Sequence, residues 1–455
     1  MKRSSVSLTL AVALITGRST AQSAAQDDPV LAALVQQALD KNPDVLAARA
    51  SVLAARQRPA QARALPDPML QATYTNDGWA PSLGTMPMTT LALMWSQELP
   101  WPGKRGLRGQ LAEREADAVE PQLRRTLLSL EAQLRRAYAD LLLSRELLGL
   151  VAEQENAWRE IEGAARARYS VGQGAQQDVL RAQIELTRIE QLRTEQALIV
   201  EIRVAELNRL AARSSEATLD TAARLQLDPF DQKQDVALAR AVDRSPELRV
   251  AAAAIERERV AVAISRKDFK PDFTVQGGYM NRGALDPMWQ AGASITLPIY
   301  KKRRESALAE AEARLRAAEQ QLESIRLQLR FRTEERLAQL RSAESLVTLY
   351  EKGIVPQDQM SVEAAIASYQ AGKLPFLTVL EALVTLYGDR TTQLQLVAAH
   401  AKTRASVEEA SLDATSAAMP AGRGFGGMSG QGAAVGGGAA SPGAAFPGAL
   451  GSMGR

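Results

Sequence analysis

Ser368-Tyr369-Gln370-Ala371-Gly372-Lys373-Leu374 runs on through Leu377-Thr378-Val379-Leu380-Glu381-Ala382. It has an earlier echo in Arg168-Tyr169-Ser170-Val171-Gly172-Gln173-Gly174, which runs on through Asp178-Val179-Leu180-Arg181-Ala182. Both copies put Tyr ahead of Gly at the same offset and then resume an apolar helical pattern with Val-Leu-x-Ala. A Gly that interrupts a long helical run lets the backbone turn back on itself. Each copy is therefore expected to be the tip of a hairpin of two long helices. The copies stand about two hundred residues apart, too far for a solenoid repeat and right for a duplicated half-protein.

Moving outward from the tips, the two halves match. The first opens with Asn42-Pro43-Asp44-Val45 and a helix to about Ala64; the second opens with Ser245-Pro246-Glu247-Leu248 and a helix to about Lys267. Pro turns end both helices, Leu65-Pro66-Asp67-Pro68 in one half and Lys270-Pro271-Asp272 in the other, because the residue before Pro is pushed out of the helical region. Beyond each turn the apolar period changes to two. Phe273, Val275, Gly277 and Tyr279 share one face, and Trp289, Ala291, Ala293, Ile295 and Leu297 share it on the return. Leu70, Ala72 and Tyr74, then Leu91, Leu93, Trp95 and Gln97, repeat the pattern more weakly. This predicts two β-hairpins, over 69–99 and 272–298, with strands of about ten residues, the length that crosses a bilayer at a tilt.

Long helices then resume. Leu123, Leu127, Leu130, Leu134, Ala137 and Leu141 alternate spacings of four and three, as do Leu308, Ala311, Leu315, Ala318, Leu322, Ile325 and Leu329. That is a heptad seam, expected of helices that supercoil around neighbours. A helix from Gly103 to Tyr169 would span roughly 100 Å, with a kink expected at Pro121. The second half should break before its tip, at Lys352-Gly353-Ile354-Val355-Pro356.

Composition agrees with extended helices. Aromatics make up 4% of the chain and Cys is absent, which rules out disulfides and thiolate metal sites. Lys2-Arg3, the apolar run Val6 to Ile15 and the small residues Ser23-Ala24-Ala25 read as a secretory signal peptide over 1–25. That segment holds three of the 55 basic residues and no acid, so without it 52 basic residues meet 52 acidic ones. The basic balance thus disappears, and with it any case for a nucleic-acid partner. The remaining organisation is a first repeat over 26–212, a polar linker over 213–234, a second repeat over 235–412, and a Gly/Ala-rich tail over 413–455 too poor in large apolar groups to fold.

Four strands cannot close a barrel, and an open sheet edge in lipid leaves backbone groups unsatisfied. Other copies of the chain must complete the wall. Two, three or four copies would give eight, twelve or sixteen strands, all workable barrels.

Three segments carry a resemblance. They are Ala64-Leu65-Pro66-Asp67-Pro68-Met69, Gln97-Glu98-Leu99-Pro100-Trp101-Pro102-Gly103-Lys104-Arg105, and the stretch from Ile354-Val355-Pro356-Gln357 through Ser361-Val362-Glu363-Ala364-Ala365 to Tyr369-Gln370-Ala371-Gly372-Lys373. The chain resembles TolC-type outer-membrane efflux channels, in particular the heavy-metal branch (CusC- and CzcC-like) that serves resistance-nodulation-division (RND) pumps. The resemblance implies a mainly α protein with membrane β: duplicated helical coiled-coil hairpins forming a periplasmic tunnel, an equatorial linker, and four strands per protomer in a twelve-stranded barrel. It implies a homotrimer in outer-membrane lipid that takes substrate from a periplasmic adaptor and an inner-membrane pump. Copper and silver are favoured as substrates over cobalt, zinc and cadmium. The copper and silver branch is often lipidated at an N-terminal Cys, which this chain lacks.

Carried over by position, the resemblance puts adaptor-docking tips at Val171, Gly172, Gln173 and Gly174, and at Ala371, Gly372, Lys373 and Leu374. It puts a periplasmic gate at Asp178 and Tyr369, a latch pair, and at Glu381, an acidic ring position whose companion here is Thr378. The latch Arg of the family is replaced by Leu374, which implies a looser gate. Independently of any family, Met86 and Met88 in the first hairpin loop and Met280 and Met288 in the second are candidate soft-metal ligands, since thioethers suit Cu(I) and Ag(I). Met is equally an ordinary filler of apolar gaps. His400, the single His, is expected on a helix surface. No nucleophile–base pair, metal cluster or phosphate loop is present in the pattern, so neither enzyme activity nor a cofactor is expected. Two other functions fit parts of the pattern: an exit duct for drugs or type I secreted proteins, and a periplasmic coiled-coil adaptor or scaffold, although no compact β-domain of an adaptor is found.

Overall fold

Prolines set where the first helices start and stop. In the computed structural model, which describes residues 28–412 apart from 84, 85, 222 and 411, α1 (Pro29–Lys41) starts on Pro and is capped by Asp28, which accepts from Val30 N at 3.0 Å. The leader expected over 1–25 and the tail expected over 413–455 lie outside the described residues. After Asn42, α2 (Pro43–Arg63) begins on a second Pro, with Asn42 Oδ1 accepting from Asp44 N at 2.9 Å. Strands β1 (Met69–Thr75) and β2 (Thr90–Leu99) follow. Then come α3 (Lys104–Asp117), α4 (Val119–Ser170) and α5 (Gln176–Leu210).

The second half repeats the order. It holds α6 (Gln234–Arg244), α7 (Pro246–Lys267), β3 (Asp272–Arg282), β4 (Leu285–Thr296) and α8 (Lys301–Leu349). A π-helical turn over Tyr350–Ile354 leads into α9 (Val355–Gln370), and α10 (Phe376–Glu409) returns. At about 1.5 Å per residue, the 52 residues of α4 run about 78 Å. No helix among the described residues is long and apolar enough to cross a membrane.

Three local expectations need correction. The short helices α1 and α6 are absent from the sequence reading; one Asn-Pro or Ser-Pro junction both ends a helix, by holding the pre-proline residue extended, and starts the next. The long first helix is interrupted not at Pro121 but at Ala118, because the Pro ring clashes with the carbonyl four residues earlier, that of Asp117. The second-half helix does not break at Lys352–Pro356. It widens to a π turn and continues, which absorbs the missing Pro N–H without ending the helix.

The four strands form one antiparallel sheet in the order β1-β2-β3-β4, so the two halves join edge to edge through β2 and β3. The period-two reading holds across it. Leu70 faces Trp95, Tyr74 faces Leu91, Leu93 faces Tyr279, Tyr279 faces Trp289 and Phe273 faces Ile295. One surface of the sheet is therefore mostly apolar, with Gln97 and Asn281 at its two ends, and it is bare: Leu70 is 69% exposed and Trp289 80%. The other carries Gln71, Thr73, Ser96, Thr274, Gln276, Gln290 and Ser294.

Below the sheet, a buried ion pair fastens strand to helix. Lys104 Nζ lies 2.9 Å from Asp272 Oδ2 and donates to Lys270 O at 2.9 Å, while Asp272 Oδ1 accepts from Trp101 N at 2.7 Å. Trp101 stacks on Phe273 with ring centroids 5.7 Å apart. Further down, the heptad seam of α4 closes on α1 and α5, with Leu134, Leu141 and Leu207 fully buried. The linker is tied down: Arg145 donates to Leu219 O at 2.6 Å and Asn208 Nδ2 to Ala217 O at 2.7 Å.

The Asp272→Ala change would leave Trp101 N without its acceptor and take the nearer carboxylate from the buried Lys104 ammonium, which keeps Lys270 O at 2.9 Å and Asp268 Oδ1 at 3.7 Å. It should cost about 1–3 kcal/mol, read as a lowered unfolding temperature by circular dichroism. Arg56→Ala, at an ion pair exposed on both sides, should cost less than about 1 kcal/mol.

Candidate functional site

Both helical hairpins turn on the same backbone device. Gly172 and Gly372 have φ of 73° and 75°, left-handed values that an L side chain resists. At each turn the Gly N–H donates to the carbonyl of the Tyr before it, and the next N–H reaches one residue further back: Gln173 N to Arg168 O and Lys373 N to Ser368 O, both 2.9 Å. This is the Schellman arrangement, which satisfies carbonyls that a helix end leaves orphaned. Val171, Gly172, Gln173, Ala371, Gly372, Lys373 and Leu374 are exposed, and Gly174 is half-buried because it folds back on the backbone of Arg168 and Tyr169.

Behind the turns the two hairpins pack against each other. Trp158 and Ile161 of α4, Ile189 of α5, Tyr369 of α9, and Phe376 and Leu383 of α10 share one core. The duplicated Tyr residues part company here: Tyr169 is 47% exposed, whereas Tyr369 is buried and meets Phe376 edge-on at 5.6 Å. The Tyr369 hydroxyl donates to Asp178 Oδ2 at 3.2 Å. Burial and then the Asp178 carboxylate push the phenol up to about 12, so it remains a donor at any physiological pH.

Arg168, to which the sequence reading gave no role, clasps both turns. Its guanidinium donates to Tyr369 O and, at 2.9 Å, to Gln173 O, and it lies 4.6 Å over the Tyr369 ring. Arg168 belongs to the first repeat, so this cation joins the two tips across the duplication. Glu381 projects from an uncovered stripe of α10 between Leu377 and Val384, and half-buried Thr378 lies at the stripe's edge.

Higher up the same hairpin is an acid pair that no sequence motif marks. The Asp358 carboxyl of α9 faces Asp389 of α10, and Asp358 Oδ2 is buried without a hydrogen-bond partner among the described residues. Burial, followed by the Asp389 carboxylate, raises Asp358 to about 6. His400 is not on the surface as expected. It is 2% exposed, with Nε2 3.0 Å from Glu344 Oε1, and burial lowers its pKa while Glu344 pulls the other way. The preceding run Leu396-Val397-Ala398-Ala399, wholly buried, was the available signal that this part of α10 faces inward on every side.

The four candidate Met residues divide into two groups. Met280 and Met288 lie not in a loop, as expected, but within β3 and β4, because the second hairpin turns tightly at Gly283, and they are direct cross-strand partners on the polar surface of the sheet. Met86 and Met88 lie exposed in the β1–β2 loop, which meets the sheet where Arg282 donates to Pro87 O at 2.9 Å.

The outer membrane efflux protein family model matches residues 34–213 and 237–411, one stretch on each duplicated half. The chain belongs to the outer membrane efflux protein family. Members are channel components, not enzymes. Among curated relatives, the nickel and cobalt resistance protein CnrC of Cupriavidus metallidurans is 27% identical, over 71% of this chain and 76% of its own. The nickel-cobalt-cadmium resistance protein NccC of Alcaligenes xylosoxydans xylosoxydans is 26% identical, over 68% and 70%. The fold is that of TolC-like channels: it superposes on CusC with a TM-score of 0.70 at 19% identity, over 84% of this chain and 92% of that one. VceC of Vibrio cholerae gives 0.70 at 20%, over 84% and 96%.

Asp358 carries its own test. Its native pKa lies above the ordinary carboxylate value of 3.8, so the folded chain holds a proton that the unfolded chain gives up. Stability falls as pH rises from about 4 to about 6, and the loss is complete above that. Asp358→Asn should raise the unfolding temperature at about pH 8 and leave it little changed at about pH 4; an equal effect at both would mean that the pair does not titrate as described.

Proposed function

We propose that the protein is the outer-membrane exit duct of a tripartite exporter of heavy-metal cations. The observation that carries this is the bare apolar surface running across all four strands, with β1 and β4 both left as open edges. Such a surface suits lipid, and its edges suit pairing with sister copies. Three copies give twelve strands, and the helical hairpins of the same three copies line up as a tunnel below. Tyr74, Tyr279 and Trp289 near the hairpin loops and Trp101 and Phe273 at the sheet base would serve as the two aromatic girdles of the barrel wall. Residues 1–25 would direct export and be removed.

In this reading the tips dock a periplasmic adaptor, which links the duct to an RND pump in the inner membrane. The duct itself is passive. Asp178, Tyr369 and Arg168 hold the inner hairpin against the outer one, and Glu381, repeated around the axis, forms a ring that draws cations towards the opening. Metal as the substrate class is supported by the names of the two relatives, which specify nickel, cobalt and, in one case, cadmium. The thioethers of the sheet favour copper or silver.

Deletion of the coding sequence should sensitise cells to one or more of these metals but not to hydrophobic drugs. The wild-type chain should restore growth, whereas Gly372→Trp should assemble heat-modifiable trimers in the outer membrane yet fail to crosslink to the adaptor or to restore growth. Drug sensitivity without metal sensitivity would reject the substrate class. In planar bilayers the wild-type trimer should pass cations over anions, and Glu381→Gln should reduce that preference several-fold; unchanged selectivity would remove Glu381 from the ring.

A further inference from the structure

The polar surface of the sheet bears more sulfur than the hairpin-by-hairpin reading of the sequence gives it. Met280 of β3 is paired directly with Met288 of β4, and Ala92 of β2 is paired with Met280 from the other side. One level nearer the helices, Met94 of β2 is paired with Gly278, and Gly278 in turn with Gln290. Side chains opposite one another across strands lie about 5 Å apart at Cβ, and diagonal neighbours about 7–8 Å, within reach of long side chains. Met94 reaches across: a Cβ added at Gly278 would collide with its sulfur, and Gln290 Nε2 approaches Met94 Sδ at 3.3 Å from the far side of β3. The Met94 thioether therefore lies over β3, on the same surface as the Met280–Met288 pair and one level below it. Ala92, Gly278 and Gly292 leave the surface around the three sulfurs low.

Charge is kept away from the centre of this surface. Glu98 and Asp272 stand at its helix end, and Arg282 and Asp286, the latter two residues before Met288, at its loop end. Among the described residues, no group of three or more His, Asp or Glu side chains is placed to hold a metal ion. A neutral patch of thioethers with no hard ligand at its centre suits a soft monovalent cation and not nickel or cobalt.

We propose that Met94, Met280 and Met288 form a thioether site for Cu(I) or Ag(I) on the lumenal wall of the barrel. Its place in the lumen rests on the duct reading above, since the apolar surface must face lipid for the polar one to face the channel. Neutral thioethers on an open surface give a site that exchanges its ion with the channel, so the site is a stepping stone on the exit path. It does not trap the ion.

The full-length chain, purified as its detergent-solubilised oligomer in chloride-free buffer, is titrated calorimetrically with silver nitrate. The wild type should show saturable Ag(I) binding stoichiometric with the protomer, unaffected by excess Ni(II). Met280→Leu alone should weaken it, and the Met94→Leu/Met280→Leu/Met288→Leu variant should lose it, whereas Met86→Leu/Met88→Leu should retain it. Retention by the triple variant, loss in the loop variant, or competition by Ni(II) would overturn the assignment. Heat modifiability of the oligomer is read in parallel. If the triple variant fails to assemble, Met280→Leu and Met94→Leu, each keeping side-chain volume, decide the matter. If the wild type binds Ag(I) through these sulfurs but forms no barrel, the duct reading fails while the thioether site stands.

Discussion

A β-sheet edge in hydrocarbon is the constraint from which the rest of this structure follows. The outer edges of β1 and β4 present backbone N–H and C=O groups with no strand partner among the described residues, and an apolar surface spans the sheet between them. Lipid can satisfy the surface but not the edges. Pairing between copies satisfies both at once, and it fixes the helices too, because each strand continues almost directly into a helix. The knot of Lys104, Asp272 and Trp101 makes that continuation stiff. A barrel formed by several copies thus brings several α8 helices together, and Leu327 and Phe331, bare on a single chain at 62% and 59% exposure, fall where neighbours can cover them.

Duplication explains the plan of the chain, and departures from duplication locate its chemistry. The two tips share a Gly, a φ value and a pair of turn hydrogen bonds. They differ in what surrounds the equivalent Tyr. Tyr169 faces solvent, whereas Tyr369 is buried and bonded to a carboxylate from the other half. The π turn occurs only in the second half among the described residues, and so does the Asp358–Asp389 pair that follows it. An inserted residue shifts every later side chain around the helix by about 100°, so the π turn re-aims α9 relative to α8. One hairpin can in this way keep its seam with α10 on both sides of the turn.

The parts legible in the sequence were those set by period and by proline. Strand faces followed from alternation, since Phe273, Val275, Gly277 and Tyr279 found the partners that their pattern demanded. The α4 seam followed from spacings of four and three, and Leu134 and Leu141 are fully buried. Arg168 was not legible. It stands beside the tip in plain view, but its role depends on Tyr369, two hundred positions away by sequence and adjacent only once the hairpins pack. Asp358 and Asp389 were hidden for the same reason. Met94 was a different kind of miss: it sits between Leu93 and Trp95, and attention to the apolar face left the opposite face unread. His400 failed on the assumption that a lone His in a helical run is solvated, although α10 is buried on every side at that level.

The two ends of the molecule are held by interactions of different character, which bears on where it can move. At the sheet end, continuous ladders and a buried ion pair must all break together, so local opening is costly. At the tips, the inner hairpin is held to the outer one by the Tyr369–Asp178 hydrogen bond and by Arg168. Each charge-assisted bond contributes about 1.5–3 kcal/mol net, and the exposed turns carrying Gln173 and Gly372 lie immediately beside them. Behind them the apolar core around Trp158 and Phe376 is shared by both hairpins. A docked partner needs to supply only a few kcal/mol of differential binding to shift an equilibrium at the tips by two orders of magnitude. In the duct proposed above, a stiff wall at one end and a polar clasp at the other would place opening at the clasp, with docking as its source of energy.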